Sequence, residues 1–377
     1  MVPFWMFGVA AIAVVASYVL VSYAVREGQS LGMVDAPRPG EVQVRSVPRT
    51  GGYAMLGALW LALTLAYLAR PSEVRAGLGD DWKLLGVALG SVAILPLAVV
   101  DDKRRLGPGA QFLGQVGIAA IPVLFGLRMG SIATPFGFAY ELPPLLDAFL
   151  TLLWIVGMIN AINLIDVMDG LAGGIAGMAA VVLFTRSLWF GQYSIAVLPL
   201  ALAGCTVGFL AHNFYPARIF MGSSGSVLLG YALATMSIIG GAKVGTAFVI
   251  LGIPILDTAW VMGRRLLARR SPFKGGDGEH LPHRMHALGL SQVRTVLVLY
   301  VICALFGFLS LTLHAPADGP FLQPTMAKLW LLLGMVGVMA AVLSTVTYLS
   351  LRQQRSPLSP PRDGSTSDVP AGALDRA

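Results

Sequence analysis

TLLWIVGMINAINLIDVMDGLAGGIAGMAAVVLF, from Thr151 to Phe184, decides the fold. An apolar run meets a short polar insert holding Asn160, Asn163, Asp166 and Asp169, and Gly170, Gly173 and Gly174 then open a second apolar run. A crossing of the hydrocarbon layer needs about 20 apolar residues, so the insert marks a point where the chain surfaces between two spans. Capping of the second helix would account for one acid, but not for two acids and two amides so close together.

The pattern continues in both directions. Apolar segments at 4–25, 51–69, 83–100, 111–127, 145–162, 171–190, 193–211, 225–240, 243–262, 295–313 and 327–351 predict an all-α, polytopic transmembrane helical bundle of about eleven spans. Of the 377 residues, 56% are hydrophobic and 12% are charged, about half the charged share of a soluble domain. Residues 1–351 read as one membrane domain and 352–377, with Ser, Pro, Asp and Gly, as a disordered cytoplasmic tail. The first apolar run is too long and lacks the basic flank of a signal peptide, so it is expected to be retained. With the N-terminus outside, the loops at 26–50, 101–110, 163–170, 212–224 and 263–294 and the tail face the cytoplasm and hold most of the 26 Lys and Arg. The net charge of +7 is therefore read as topology and attraction to anionic lipid or phosphorylated substrate. No motif for nucleic acid is present. Cys205 and Cys303 lie inside apolar spans and are expected to be free, buried thiols.

Chemistry-bearing residues concentrate in those same loops. Asp101 and Asp102 follow the third span, and hard oxygen ligands suit Mg²⁺ or a phosphate oriented through it. If the insert is helical, Asn163, Asp166 and Gly170 share one face. In MGSSGS, Gly222 and Gly225 accompany Ser223, Ser224 and Ser226 where the eighth span begins, and a glycine-rich entry to a helix offers N–H groups to phosphate. His212, Asn213 and Arg218 add donors upstream. His280, His283 and Arg284 lie in the most basic loop; two histidines without further ligands do not make a zinc site, but all three suit a pyrophosphate. Asp257 sits within the ninth span after Pro254, and an ionisable residue there is either functional or paired with a loop base. A secondary transporter would concentrate such groups at mid-bilayer in two related halves; these midplanes are apolar and no repeat is visible.

Taken in order, the stretches from Asp35, Val99, Asn160, His212 and Gly275 resemble the polyprenyl-phosphate N-acetylhexosamine-1-phosphate transferases, the superfamily of the MraY and WecA/TagO-type enzymes. VPRTGG, NAINLID and ARIFMG look closer to the WecA/TagO branch. The resemblance implies transfer of a sugar 1-phosphate from a UDP-sugar to polyprenyl phosphate at the cytoplasmic face of the inner membrane, with release of UMP. It implies Mg²⁺, or Mn²⁺ in its place, and allows a homodimer. On this reading Asp101, Asp102, Asp166 and Asp169 are catalytic, Asn163, Asp166 and Ser223 stand at the metal, and Asn160, Asn213, His280, His283 and Arg284 bind substrate. The sequence also departs from the family pattern. Ser223 stands where the family has a metal-ligating Asp; Gly40, Glu41 and Gln43 replace an Arg, a Lys and a His; Val167 replaces a glycine and Pro282 a histidine. The alternative is a catalytically weakened homologue that binds polyprenyl phosphate or nucleotide as a regulator or scaffold.

Overall fold

Each apolar segment expected from the sequence forms a helix. The computed structural model describes residues 3–35, 46–69, 72, 81–133, 139–239, 244–270, 279–313 and 325–355. The helices are α1 (Phe4–Glu27), α2 (Gly51–Ala69), α3 (Asp81–Arg104), α4 (Pro108–Leu124), α5 (Pro144–Ile165), α6 (Leu171–Trp189), α7 (Tyr193–Asn213), α8 (Gly222–Ile238), α9 (Val244–Ile250), α10 (Gly252–Leu267), α11 (Leu281–Ala287), α12 (Gln292–Leu313) and α13 (Thr325–Arg355). Two antiparallel ribbons complete the described elements: β1 (Val34–Asp35) with β2 (Val47–Pro48), and β3 (Ser131–Ala133) with β4 (Ala139–Glu141).

Among the described residues, eight helices are long and apolar enough to cross a membrane, and the bent pair α9–α10 makes a ninth if taken as one span. At 17 residues each, α4 and α8 are shorter. The ninth expected span is thus two helices, turned by 74° at Leu251. Pro254, in the first turn of α10, has no N–H to offer the Ile250 carbonyl four residues back. The Cys303 thiol approaches that carbonyl at 3.5 Å instead. Both cysteines are free and buried. The last helix runs to Arg355, past the expected boundary at 351; Gly40, Glu41, Gln43 and the tail from 356 lie outside the described residues.

All 17 residues of α8 are buried. A helix buried around its whole circumference belongs inside a bundle, and α5, α3 and α2 pack around this one. On α7, Gly204 and Gly208, four residues apart, lie against α1, where an added Cβ would meet Ala13 and Ser17. Small residues at that spacing let membrane helices approach closely. Phe4, Phe7, Leu124, Trp330 and Leu333 stand exposed on the outer surface, as a lipid-facing rim requires.

Candidate active site

The central helix begins at the site. Phe220 N–H donates to the Pro48 carbonyl (2.8 Å), and Gly51 and Gly52 N–H donate to the carbonyls of Phe220 (3.0 Å) and Met221 (2.9 Å). These bonds stitch the start of α2 to the start of α8. Gly222 has φ +65°, a conformation L side chains rarely adopt, and a Cβ there would press on the Arg49 carbonyl. Helix α8 starts at Gly222 rather than at the expected 225, so Ser223 and Ser224 belong to its first turn.

Asp101 and Asp102 occupy the last turn of α3, which runs four residues past its expected end. Asp101 is 5% exposed. Its Oδ1 accepts from Leu106 N–H (2.9 Å), and its Oδ2 accepts from the Gln111 side-chain amide (2.6 Å) and from the Ser223 hydroxyl. Asp102 accepts from the Tyr53 hydroxyl (2.9 Å) and from Ser223 N–H (3.3 Å), with Arg49 Nε at 3.9 Å. The amide of the glycine-rich entry that was expected to receive phosphate is thus directed to a carboxylate of the protein. Ser223 serves both acids, its hydroxyl to one and its N–H to the other.

Asn160 and Asn163 lie on the last turns of α5, which ends at Ile165. Asp166 (φ −77°, ψ 58°) follows outside the helix and Gly170 is left-handed at φ +79°, so the single helical face expected for Asn163, Asp166 and Gly170 does not form. Asn163 accepts from Ser226 Oγ–H of α8 (3.1 Å), and Asn160 donates to Gln115 of α4 (2.7 Å). Asn163, Ser223, Asp101, Gln111 and Gln115 together line a small cavity between α3, α4, α5 and α8.

Asp169 accepts from Ala217 N–H (3.0 Å) and from the Gln292 side chain instead of capping α6, whose N-cap is Gly170. Among the described residues Asp166 accepts no hydrogen bond. Desolvation pushes its carboxyl up to about 7, against the pull of Arg49 and with a smaller push from Asp169. Burial raises Asp169 as well, opposed by its two hydrogen bonds. Arg49 thus lies 3.9 Å from Asp102, and its charge also favours the ionised form of Asp166.

Asn213 is committed to the backbone: Oδ1 accepts from Gly170 N–H (3.0 Å) and Nδ2 donates to the Ile219 carbonyl (2.8 Å). His212 is buried, with Nε2 2.9 Å from Ser22 Oγ and its ring against Tyr18, while Arg218 is exposed. His280 and Arg284 are also turned inward, at 3% and 5% exposure, and both bond to Asp257; His283 is half-buried. Asp257 is thus paired with loop bases.

The structure adds Arg49, Tyr53, Gln111 and Gln115 to the residues singled out in the sequence. The two glutamines, four apart within an apolar segment, carried a readable signal, because polar groups in a membrane helix need partners. Arg49 lay within the quoted VPRTGG without a role of its own, and nothing local marked Tyr53.

Residues 84–241 match the family described as Glycosyl transferase family 4. The chain is 32% identical to the "Probable undecaprenyl-phosphate N-acetylglucosaminyl 1-phosphate transferase" of Bacillus subtilis, over 76% of this chain and 78% of the relative. It is 31% identical to the "Decaprenyl-phosphate N-acetylglucosaminephosphotransferase" of Mycobacterium tuberculosis, over 74% and 75%. It is 34% identical to the "Phospho-N-acetylmuramoyl-pentapeptide-transferase" of Desulforudis audaxviator, over 72% and 85%.

Proposed function

Because this chain belongs to the polyprenyl-phosphate N-acetylhexosamine-1-phosphate transferase superfamily, we propose that it transfers an N-acetylhexosamine 1-phosphate from a UDP-sugar to polyprenyl phosphate, releasing UMP and beginning a lipid-linked cell-envelope glycan. The supporting observation is one convergence of three helix ends: Ser223 of α8 bonds Asp101 and Asp102 of α3, and Ser226 of the same helix bonds Asn163 of α5. The acceptor is a phosphate monoester with a second pKa near 6, so it is largely ionised at neutral pH and needs no strong base. Its tail stays in the hydrocarbon layer while the nucleotide is soluble. The reaction then belongs at the membrane surface, on the cytoplasmic side by the distribution of Lys and Arg.

Two anions must meet in this site, and the chain's own cations lessen their repulsion. Arg49, 3.9 Å from Asp102, is one of them. Among the described residues no three His, Cys, Asp or Glu side chains converge as a ready-made metal cage. Mg²⁺ is commonly held by one or two carboxylates together with substrate phosphates and water. Asp166 and the amide oxygen of Asn163 would hold it; Asp101 already accepts three hydrogen bonds from the protein. Bound there, the ion would offset charge developing on the departing UMP. Ser223 contributes by fixing Asp101 and Asp102 rather than by adding a third carboxylate.

The test is UMP release by the purified protein supplied with UDP-N-acetylglucosamine, polyprenyl phosphate and Mg²⁺. Release that requires all three supports the transferase. Tight binding of the lipid without UMP release would instead favour a non-catalytic regulator, the reading to which the Ser223–Asp101 bond lends weight.

A further inference from the structure

The turn that carries Asp166 and Asp169 lies between α5 and α6, and its own backbone bonds are short in reach. Val167 N–H donates to the Ile165 carbonyl (2.8 Å) and Leu171 N–H to the Met168 carbonyl (3.1 Å). Such bonds shape the turn locally but leave its direction to whatever packs against it. Gly170 closes the turn at φ +79°, and its backbone groups are held from outside as well as within. Its N–H donates to Asn213 Oδ1 (3.0 Å), and its carbonyl accepts from Gly174 N–H (2.9 Å) and from the Tyr300 hydroxyl (2.5 Å). Both lone pairs of that carbonyl are therefore used.

Tyr300 arrives from about two turns inside α12. Side chains of a helix lean toward its N-terminus, so a long one at this depth can reach back to the turn. The approach depends on a second glycine. A Cβ at Gly174, in the first turn of α6, would overlap the Tyr300 hydroxyl and ring. Phe214 meets the same ring edge-on, with centroids 6.4 Å apart. At the start of α12, Gln292 bonds Asp169. One helix thus holds two consecutive residues of the turn, Asp169 by its carboxylate and Gly170 by its carbonyl. A half-buried tyrosine hydroxyl needs some partner; a bond to this carbonyl, across a glycine that leaves room for it, ties the tyrosine to the acidic turn.

We infer that Tyr300 is a positioning residue for the transfer: through the Gly170 carbonyl, and with Gln292 beside it, it fixes the turn so that Asp166 and Asp169 keep their working geometry. It acts through the turn and not on substrate. The inference rests on the transferase reading for what the two acids do.

The test uses the full-length protein in lipid nanodiscs with two readouts. One is backbone hydrogen exchange across 166–171 without substrate or metal, and the other is the Mg²⁺ concentration giving half-maximal UMP release. Tyr300→Phe keeps the ring against Phe214 and removes only the hydroxyl. It should speed exchange in the turn and leave the middle of α6 and α12 unchanged. It should also raise the Mg²⁺ requirement by roughly 10–100-fold, as loss of a group that orients a metal's ligands does. Tyr231→Phe is the comparison, because it deletes a hydroxyl bond to the Val87 carbonyl (2.9 Å) deep in α8, and it should move neither readout. An unchanged Mg²⁺ requirement in Tyr300→Phe would overturn the inference, as would unchanged exchange in the turn. Equal shifts in Tyr231→Phe would overturn it too, since they would mark lost packing rather than lost position. If Tyr300→Phe does not fold, Gln292→Ala removes the neighbouring attachment and should move both readouts in the same direction; no change there counts against the proposal. If the wild type releases no UMP, the transferase reading fails separately. Exchange in the turn then decides the role of Tyr300, and equal rates in wild type and Tyr300→Phe would refute it.

Discussion

Two acidic groups meet in this site and are held in opposite ways. The oxygens of Asp101 accept three hydrogen bonds and those of Asp102 accept two, all from the protein. Asp166 accepts none among the described residues, and burial raises its carboxyl to about 7. A carboxylate engaged by several protein donors holds its neighbours in place and has less capacity left for a ligand. A desolvated carboxylate is costly unless a partner offsets its burial, and perturbed groups of that kind concentrate at functional sites. On the proposed transferase reading, the α3 end is the frame and the loop after α5 the working part.

That division can be broken most severely at Asp166. Asp166→Asn should lower UMP release by on the order of 10²–10³-fold with little change in melting temperature; a large loss of stability would place Asp166 in the frame. Asp101→Ala should do the reverse first. It strands the donors of Gln111, Ser223 and Leu106 and should cost about 1–3 kcal/mol of stability, seen as a lower melting temperature in detergent. Normal melting with lost turnover would make Asp101 a working residue.

Ser223→Asp sharpens the comparison, since it places a third carboxylate against the two that Ser223 now serves. The variant should melt lower than wild type in chelator and recover when Mg²⁺ is added. A melting temperature indifferent to Mg²⁺ would show that the ion is held elsewhere. Tyr53→Phe should have the smallest effect, about 1 kcal/mol for one bond to Asp102, measured by the same melting assay.

Much of the fold could be read from the sequence because a membrane leaves few options: an apolar run of sufficient length becomes a helix. Helix ends were less legible. Asp101 and Asp102 fell inside α3 and Asp166 fell outside α5, because termini depend on which backbone groups find partners across the fold. The break at Leu251 had its signal in Pro254, but an apolar run alone cannot reveal a bend. At the site, residue types drew attention to particular loops, whereas the pairings those residues make are distant in sequence. Asn213 holds Gly170 and Ile219 with its amide, and Arg284 bonds to Asp257 and Thr347, partners that no local pattern announces.

The most direct test follows the phosphate itself. With UDP-N-acetylglucosamine labelled in its β-phosphate, the account predicts that label appears in the polyprenyl lipid in equal amount to the UMP released, and that Asp166→Asn abolishes both. Label leaving as UDP, with sugar alone reaching the lipid, would contradict it.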